Sequence, residues 1–184
     1  MKECGIDSNG AESVNDIAII QTNINCNQII DLIESVAFSQ YPFKQVDNRP
    51  HLTSYIPLDE DLLEHEYTTV LKAQIKSLVY PHVSKYIEKH GLESLESRPN
   101  ILASKLLAGN EMPAHIECDE DNRTFFFDLY LNENYEGGSL YFDDLNLIIK
   151  PKTGMLIISP GKYRHGVTKL ISGVRYSIGS GFFE

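Results

Sequence analysis

The second half of the chain is a series of short apolar runs separated by turn signals. From Ile101 onward these runs are ILASKLL, RTFFFDLYL, GSLYF, LNLIIK, GMLIIS, HGVTKL and VRYSIGSGFF, all rich in β-branched and aromatic residues. Turn-forming pairs such as Gly137-Gly138 and Pro160-Gly161 stand between them. Seven or eight short strands with tight connections predict a β-sandwich or jelly roll.

The first half of the chain has helical spacing instead. Asn25 is a predicted cap for a first helix, which Pro42 ends. The acidic pair at 59–60 opens a second helix, which Pro81 is expected to kink or split and Gly91 to end.

Other segments of the front are shorter or irregular. The run IAIIQ at 17–21 predicts a strand, and residues 43–58 read as a loop with two proline breakers. The polar segment 1–13 is expected to be flexible. We predict a single domain over 1–184, with 14–100 as a helical support region and 101–184 as the strand-rich part.

Composition limits the classes of partner. The formal net charge of −10 argues against nucleic-acid and membrane-surface binding, because both need clustered Lys and Arg. No apolar stretch approaches the ~20 residues that span a bilayer. The N-terminus lacks a signal-peptide core, and three cysteines without metal or disulfide spacing favour reduced thiols. A cytoplasmic location is therefore expected.

Five residues in the strand-rich half carry the candidate chemistry: His115, Glu117, His165, Arg175 and Ser177. Two imidazoles and one carboxylate are the set that binds ferrous iron with open coordination positions. Residues two apart in a strand share a face, so the first two can bind one metal and the last two can bind one anion.

A second carboxylate competes for the metal. Asp119 follows His115 by four residues, and a backbone bulge near Cys118 would bring it to the site in place of Glu117. Strand alternation favours Glu117, and the sequence leaves both candidates open.

A set of short motifs, in order, resembles the catalytic core of the iron(II)- and 2-oxoglutarate-dependent oxygenases, in particular the prolyl 4-hydroxylase-like branch. The resemblance covers residues 101–183 and rests on H-I-E, L-Y-L-N, Y-E-G-G-S-L, K-P-K-T-G, R-H-G-V and G-V-R-Y-S. It implies an α+β fold: a double-stranded β-helix of jelly-roll, cupin-like type, buttressed by N-terminal helices. The commoner carboxylate ligand in this family is aspartate, where this chain has Glu117.

The resemblance also implies residue roles. His115, Glu117 and His165 would be the iron ligands and the catalytic centre. Arg175 would pair with the distal carboxylate of 2-oxoglutarate, which Ser177 and Tyr130 would also bind. Arg123 and Leu140 match positions that line the same pocket.

The implied activity is that of an Fe(2+)- and 2-oxoglutarate-dependent dioxygenase that hydroxylates a prolyl, peptidyl or amino-acid substrate with molecular oxygen. Ascorbate is a further cofactor that the resemblance allows. One alternative is the same cofactor chemistry on a free amino acid or small natural product, giving desaturation or cyclisation. Another is a non-catalytic jelly-roll metal-binding protein, although a cupin would usually add a third histidine between His115 and His165.

Overall fold

The computed structural model describes residues 2–3, 11–39, 44–45, 54–57, 66–92, 101–117 and 124–182. They form two helices, α1 and α2, and fifteen strands, β1 to β15 in chain order. Within these ranges, no helix has the length and apolar character needed to span a membrane.

Helix α1 (Cys26–Ser39) begins where the sequence predicted a cap. The Asn25 side-chain oxygen accepts a hydrogen bond from the Gln28 backbone N–H at 3.4 Å, which confirms the prediction. Ile29 and Ile33 are buried one turn apart, so the helix packs along this stripe.

Helix α2 (Glu66–His90) continues without interruption past Pro81. Of the kink or split predicted there, the split does not occur. Proline removes one backbone hydrogen bond, but Val79 and Val83 on either side of it are buried in the core, and this packing holds the two segments in one helix. Gly91, with φ of +64°, ends the helix as predicted.

The strands form two main sheets. The major sheet contains, in spatial order, β2 (Ala11–Val14), β3 (Ile17–Gln21), β12 (Met155–Pro160), β8 (Phe125–Tyr130), β15 (Val174–Phe182), β6 (Leu102–Leu107), β5 (Ser54–Pro57) and β4 (Lys44–Gln45). The minor sheet contains β1 (Lys2–Glu3), β11 (Leu147–Ile149), β10 (Leu140–Phe142), β13 (His165–Val167) and β7 (Met112–His115). A two-stranded ribbon pairs β14 (Leu170–Ser172) with β9 (Glu136–Gly137).

Strand β8 shows how the layers are arranged. Its residues Phe125, Phe127 and Leu129 belong to the core cluster shared with the two helices, whereas Phe126 and Tyr130 belong to the cluster formed with residues of the minor sheet. Alternate side chains therefore point to opposite faces of the major sheet. The helices cover the outer face, and the inner face looks toward the minor sheet.

A polar bridge ties helix α1 to the outer face of the major sheet. The Glu34 carboxylate accepts hydrogen bonds from Lys105 Nζ at 2.7 Å and from Tyr176 Oη at 2.6 Å. Lys105 lies on β6 and Tyr176 on β15, so one carboxylate links both strands to the helix. Burial raises the pKa of Glu34, but the hydrogen bonds from Lys105 and Tyr176 together outweigh it, so the pKa is lowered overall.

The front half contains more strand than the sequence indicated. Residues 43–58 read as a loop, but β4 and β5 lie within them and extend the major sheet. Strands β1 and β2 also begin within the segment predicted to be flexible. The reason is long-range pairing: β5 is antiparallel to β6, and β1 is parallel to β11. Such backbone pairing at sheet edges leaves little local signature in sequence.

Candidate active site

Three potential metal ligands meet at the rim between the sheets. His115 ends β7 and His165 begins β13, and these two residues pair directly in the antiparallel register. Glu117 lies two residues beyond the end of β7, so it follows the strand in which it was predicted. The ligand atoms of the three residues all lie within 4.8 Å of one another. The structure therefore brings together the triad that the spacing suggested.

Backbone carbonyls orient both imidazoles. Nδ1 of His115 lies 3.0 Å from the Pro113 carbonyl oxygen, and Nδ1 of His165 lies 2.9 Å from that of Tyr163. A proton on Nδ1 satisfies each contact and leaves Nε2 with the lone pair that a metal requires. Such contacts on the far nitrogen are typical of metal-binding histidines.

Electrostatics favour the protonation states that bind metal. His165 is 2% exposed, stacks on Phe126 with ring centroids 4.3 Å apart, and has its pKa lowered mainly by burial. It is thus held neutral. The pKa of Glu117 is lowered first by its hydrogen bond with His115, so this group stays a carboxylate.

The spacing of the ligand atoms fits a cation. His115 Nε2 and Glu117 Oε1 are 3.0 Å apart. Metal bonds to nitrogen and oxygen of about 2.0–2.2 Å at right angles put adjacent ligand atoms about 3 Å apart. In the metal-free protein a proton on His115 Nε2 makes this contact a hydrogen bond, and a bound cation would take the place of that proton between the two atoms. The donor set, two nitrogens and one oxygen, suits iron(II).

A glycine turn fixes the backbone of Glu117. Its N–H donates to the Gly161 carbonyl oxygen at 2.9 Å, and the Gly161 N–H donates to the Thr124 carbonyl oxygen at 2.8 Å. A Cβ at position 161 would lie 2.7 Å from the Glu117 carbonyl oxygen, so glycine is required for this close approach. The turn before β13 thereby positions a residue that lies outside any strand.

We expect Glu117→Ala to abolish iron binding and turnover, whereas Asp119→Ala retains most of both. Glu117 is the carboxylate that contacts His115 Nε2 within the triad. Asp119 lies outside the described residues. Metal titration of the two variants, read by calorimetry, decides between them. Activity that survives in Glu117→Ala and disappears in Asp119→Ala would reassign the ligand to Asp119.

A buried cation lies deeper between the sheets. Arg175 on β15 is 4% exposed, donates from Nη1 to the Gly138 carbonyl oxygen at 3.0 Å, and stands 5.2 Å from the centroid of the Tyr130 ring. Ser177, two residues along the same strand, is also buried and pairs in register with Tyr130. Arg175, Ser177 and Tyr130 therefore lie close together and form a candidate anion pocket; their role in binding a co-substrate stays a prediction.

Polar atoms in this pocket lack partners. Within the described part of the chain, Tyr130 Oη, Tyr135 Oη and Arg175 Nε are buried without a hydrogen-bond acceptor. Leaving a buried donor unpaired costs ~1–3 kcal/mol. Three unpaired donors, one of them cationic, fit a bound carboxylate, which accepts several hydrogen bonds at once. The pocket thus fits 2-oxoglutarate, whose far end is a carboxylate.

Sequence reasoning missed two residues of this region. Tyr135 precedes the Gly137-Gly138 turn, and a Cβ on Gly138 would lie 3.4 Å from its ring and 3.6 Å from the Arg175 side chain. Asp128 lies on β8 between Phe126 and Tyr130. The alternation of β8 could have revealed Asp128. The proximity of Tyr135 to Arg175 depends on long-range packing, which the sequence does not indicate.

The remaining predicted pocket residues have different outcomes. Leu140 is fully buried in β10, in the cluster that also contains Tyr130. Arg123 lies outside the described residues, so its role stays a prediction.

Comparison with solved structures finds the same fold in several prolyl hydroxylases. A prolyl hydroxylase from Trichoplax adhaerens, in complex with a hypoxia inducible factor oxygen degradation domain peptide fragment, has a TM-score of 0.72 and 18% identity, covering 96% of this chain and 84% of its own. A prolyl-4-hydroxylase from Pseudomonas putida has a TM-score of 0.66 and 18% identity, with 92% of each chain covered. The viral collagen prolyl hydroxylase of Paramecium Bursaria Chlorella virus-1, in its 2OG complex, has a TM-score of 0.61 and 16% identity, covering 91% of this chain and 96% of that one.

These similarities define the chain as having the double-stranded β-helix fold of the 2OG-Fe(II) oxygenases, which confirms the predicted α+β class. Within that class the likeness to prolyl hydroxylases, predicted from the motifs, is also confirmed at the level of fold. Neither a protein-family model nor a curated protein sequence matches the chain.

Proposed function

We propose that this chain is an iron(II)- and 2-oxoglutarate-dependent dioxygenase that hydroxylates an unactivated C–H bond. One observation supports the proposal: a chain with an oxygenase fold has both a His-Glu-His cluster and a buried arginine whose Nε lacks a hydrogen-bond partner within the described residues. When bound, the iron and co-substrate would supply oxidative decarboxylation coupled to C–H oxidation. Low sequence identity makes the site residues, rather than overall likeness, the support for this activity.

Different residues would bind the metal and the co-substrate. His115, Glu117 and His165 would hold the metal by three protein ligands, which leaves positions open for the co-substrate and oxygen. Arg175 would bind the far carboxylate of 2-oxoglutarate and Tyr130 would donate a hydroxyl to it. Burial of Arg175 and Ser177 keeps water from that end of the pocket. Each contribution is placement or charge, since the oxidising power belongs to the cofactor.

A prolyl, peptidyl or amino-acid side chain is the proposed substrate class. The structural neighbours include prolyl hydroxylases, and one of them holds a peptide fragment. Ile116, between two of the triad residues, is 50% exposed and offers an apolar contact at the rim of this chain's site. A free amino acid with a desaturation or cyclisation outcome is the second candidate, because the site's metal and anion residues suit it equally.

The experiment for this proposal measures substrate-free conversion of 2-oxoglutarate to succinate. With added iron(II), the parent protein should form succinate slowly, and prolyl peptides or free amino acids of the correct class should accelerate it. His165→Ala should show neither reaction. Iron binding without any succinate formation, alone or with substrates, would favour the non-catalytic metal-binding protein instead.

A further inference from the structure

Asp128 lies midway along the inner face of β8. Phe126, on the same face, stacks on His165 at the metal end, and Tyr130 lies beside Arg175 at the anion end. Residues two apart in a strand are about 6.6 Å apart, so Asp128 is one such step from each neighbour. Asp128 therefore lies between the residues at the metal end and those at the anion end of this face.

Gly179 gives the carboxyl group its space. It pairs with Asp128 across β15 and β8, and a Cβ added to it would lie 2.5 Å from Asp128 Oδ1. Any side chain at position 179 would therefore collide with the carboxyl group. The absence of a side chain at position 179 therefore leaves room for the carboxyl group of Asp128.

The carboxyl group has charged neighbours but no hydrogen bond within the described part of the chain. Arg175 acts on it from β15, Glu117 and His115 act from the metal end, and Tyr130 lies on its own strand. On the other side of β8, the residue of β12 that pairs with Asp128 is the apolar Ile157. Asp128 is only partly buried, so solvent can reach it.

Burial is the main influence on this group. It raises the pKa of Asp128 to about 7; Arg175 opposes the rise and Glu117 adds to it. Near neutral pH the free protein therefore carries a proton here in part of its population. A dianionic ligand brought alongside would raise the pKa further, since neighbouring like charges disfavour ionisation.

We propose that Asp128 binds the co-substrate as a neutral carboxylic acid, taking up one proton from solvent when 2-oxoglutarate enters the pocket. This inference rests on the proposed function. The protonated group can donate its O–H to a ligand oxygen, whereas the ionised group would repel the ligand. Asp128 thereby makes co-substrate affinity depend on pH.

Calorimetric titration of 2-oxoglutarate into the manganese(II)-loaded protein tests the inference without turnover. Buffers of different ionisation enthalpy report the number of protons taken up. We expect more proton uptake at pH 8 than at pH 6, and an affinity for 2-oxoglutarate that falls as the pH rises above the Asp128 pKa. Below that pKa the group is already protonated, so binding needs no uptake.

Two isosteric variants supply the comparison. Asp128→Asn should take up no proton by this route and show an affinity that is nearly constant over this range, close to the parent value at pH 6. Asp31→Asn, an exposed aspartate on α1, should behave as the parent does. Both variants retain the metal-site histidines. The difference in proton uptake between the two variants therefore excludes protons bound by those histidines.

The outcomes separate failure of the Asp128 role from failure of the proposed function. Binding by the parent without proton uptake at pH 8, or the same uptake in Asp128→Asn, overturns the role of Asp128 and leaves the proposed function intact. No binding at any pH overturns both. Should Asp128→Asn fail to fold, Asp128→Ile must also give an affinity that is independent of pH, although a weaker one, because isoleucine donates no hydrogen bond.

Discussion

His115→Ala and His165→Ala will each abolish metal binding and succinate formation together. Each substitution removes one of three protein ligands from a site that keeps the other positions open. Loss of a residue that merely orients a ligand costs roughly 10–100-fold in metal affinity, so loss of a ligand should exceed that. Anaerobic titration with iron(II) measures affinity, and succinate formation measures activity.

The control for these variants is His82→Ala, which removes a histidine from α2, outside the site. It should bind metal and form succinate as the parent does. His165 packs against Phe126 and Phe142, so circular dichroism must show that His165→Ala is folded. Parent-like iron affinity in either folded triad variant would disprove the ligand assignment.

Arg175→Ala will raise the concentration of 2-oxoglutarate needed for half-saturation while leaving iron affinity nearly unchanged. Truncating one partner of a buried, hydrogen-bonded charge pair costs about 2–5 kcal/mol, which is roughly 30- to 5,000-fold in affinity. Arg175→Lys should recover only part of this, because a point charge replaces a planar fork. A normal 2-oxoglutarate dependence in Arg175→Ala would mean that another residue binds the carboxylate.

Substitutions around Arg175 should have graded effects. Tyr130→Phe and Ser177→Ala each remove one hydroxyl and should weaken binding by about 0.5–3 kcal/mol. Tyr130 Oη is buried and has no hydrogen-bond partner among the described residues. Tyr130→Phe should therefore lower co-substrate affinity without lowering the free energy of unfolding. Competition by N-oxalylglycine should weaken in parallel across the series.

The residues that local patterns specify were predictable. The cap at Asn25 and the strands after Ile101 follow from spacing and composition. The triad could be chosen because a metal site needs particular residue types at particular intervals. Glu117 was proposed by strand alternation, yet a hydrogen bond from its backbone to the Gly161 turn holds it.

Residues that depend on distant pairing were not predictable. Strand β5 pairs with β6 and β4 pairs with β5. No sequence pattern within 43–58 predicts this pairing. The alternation of β8 places Asp128 on the inner face, but only the pairing with Gly179 shows that its carboxyl group has room there. Tyr135 is recognised as a neighbour of Arg175 only in the folded chain, where the ribbon of β9 and β14 places the Gly138 turn beside both residues.

Strand β15 serves two purposes with alternate residues. Arg175, Ser177 and Gly179 belong to the pocket, whereas Tyr176 and Ile178 pack toward the helices. Insertion or deletion of one residue before position 175 would exchange the two faces. The guanidinium would then enter the apolar layer beneath the helices, and the aliphatic residues would face the ligand. A one-residue change in the length of this strand should therefore destroy the pocket even when Arg175, Ser177 and Gly179 are all retained, whereas a two-residue change would keep the two faces.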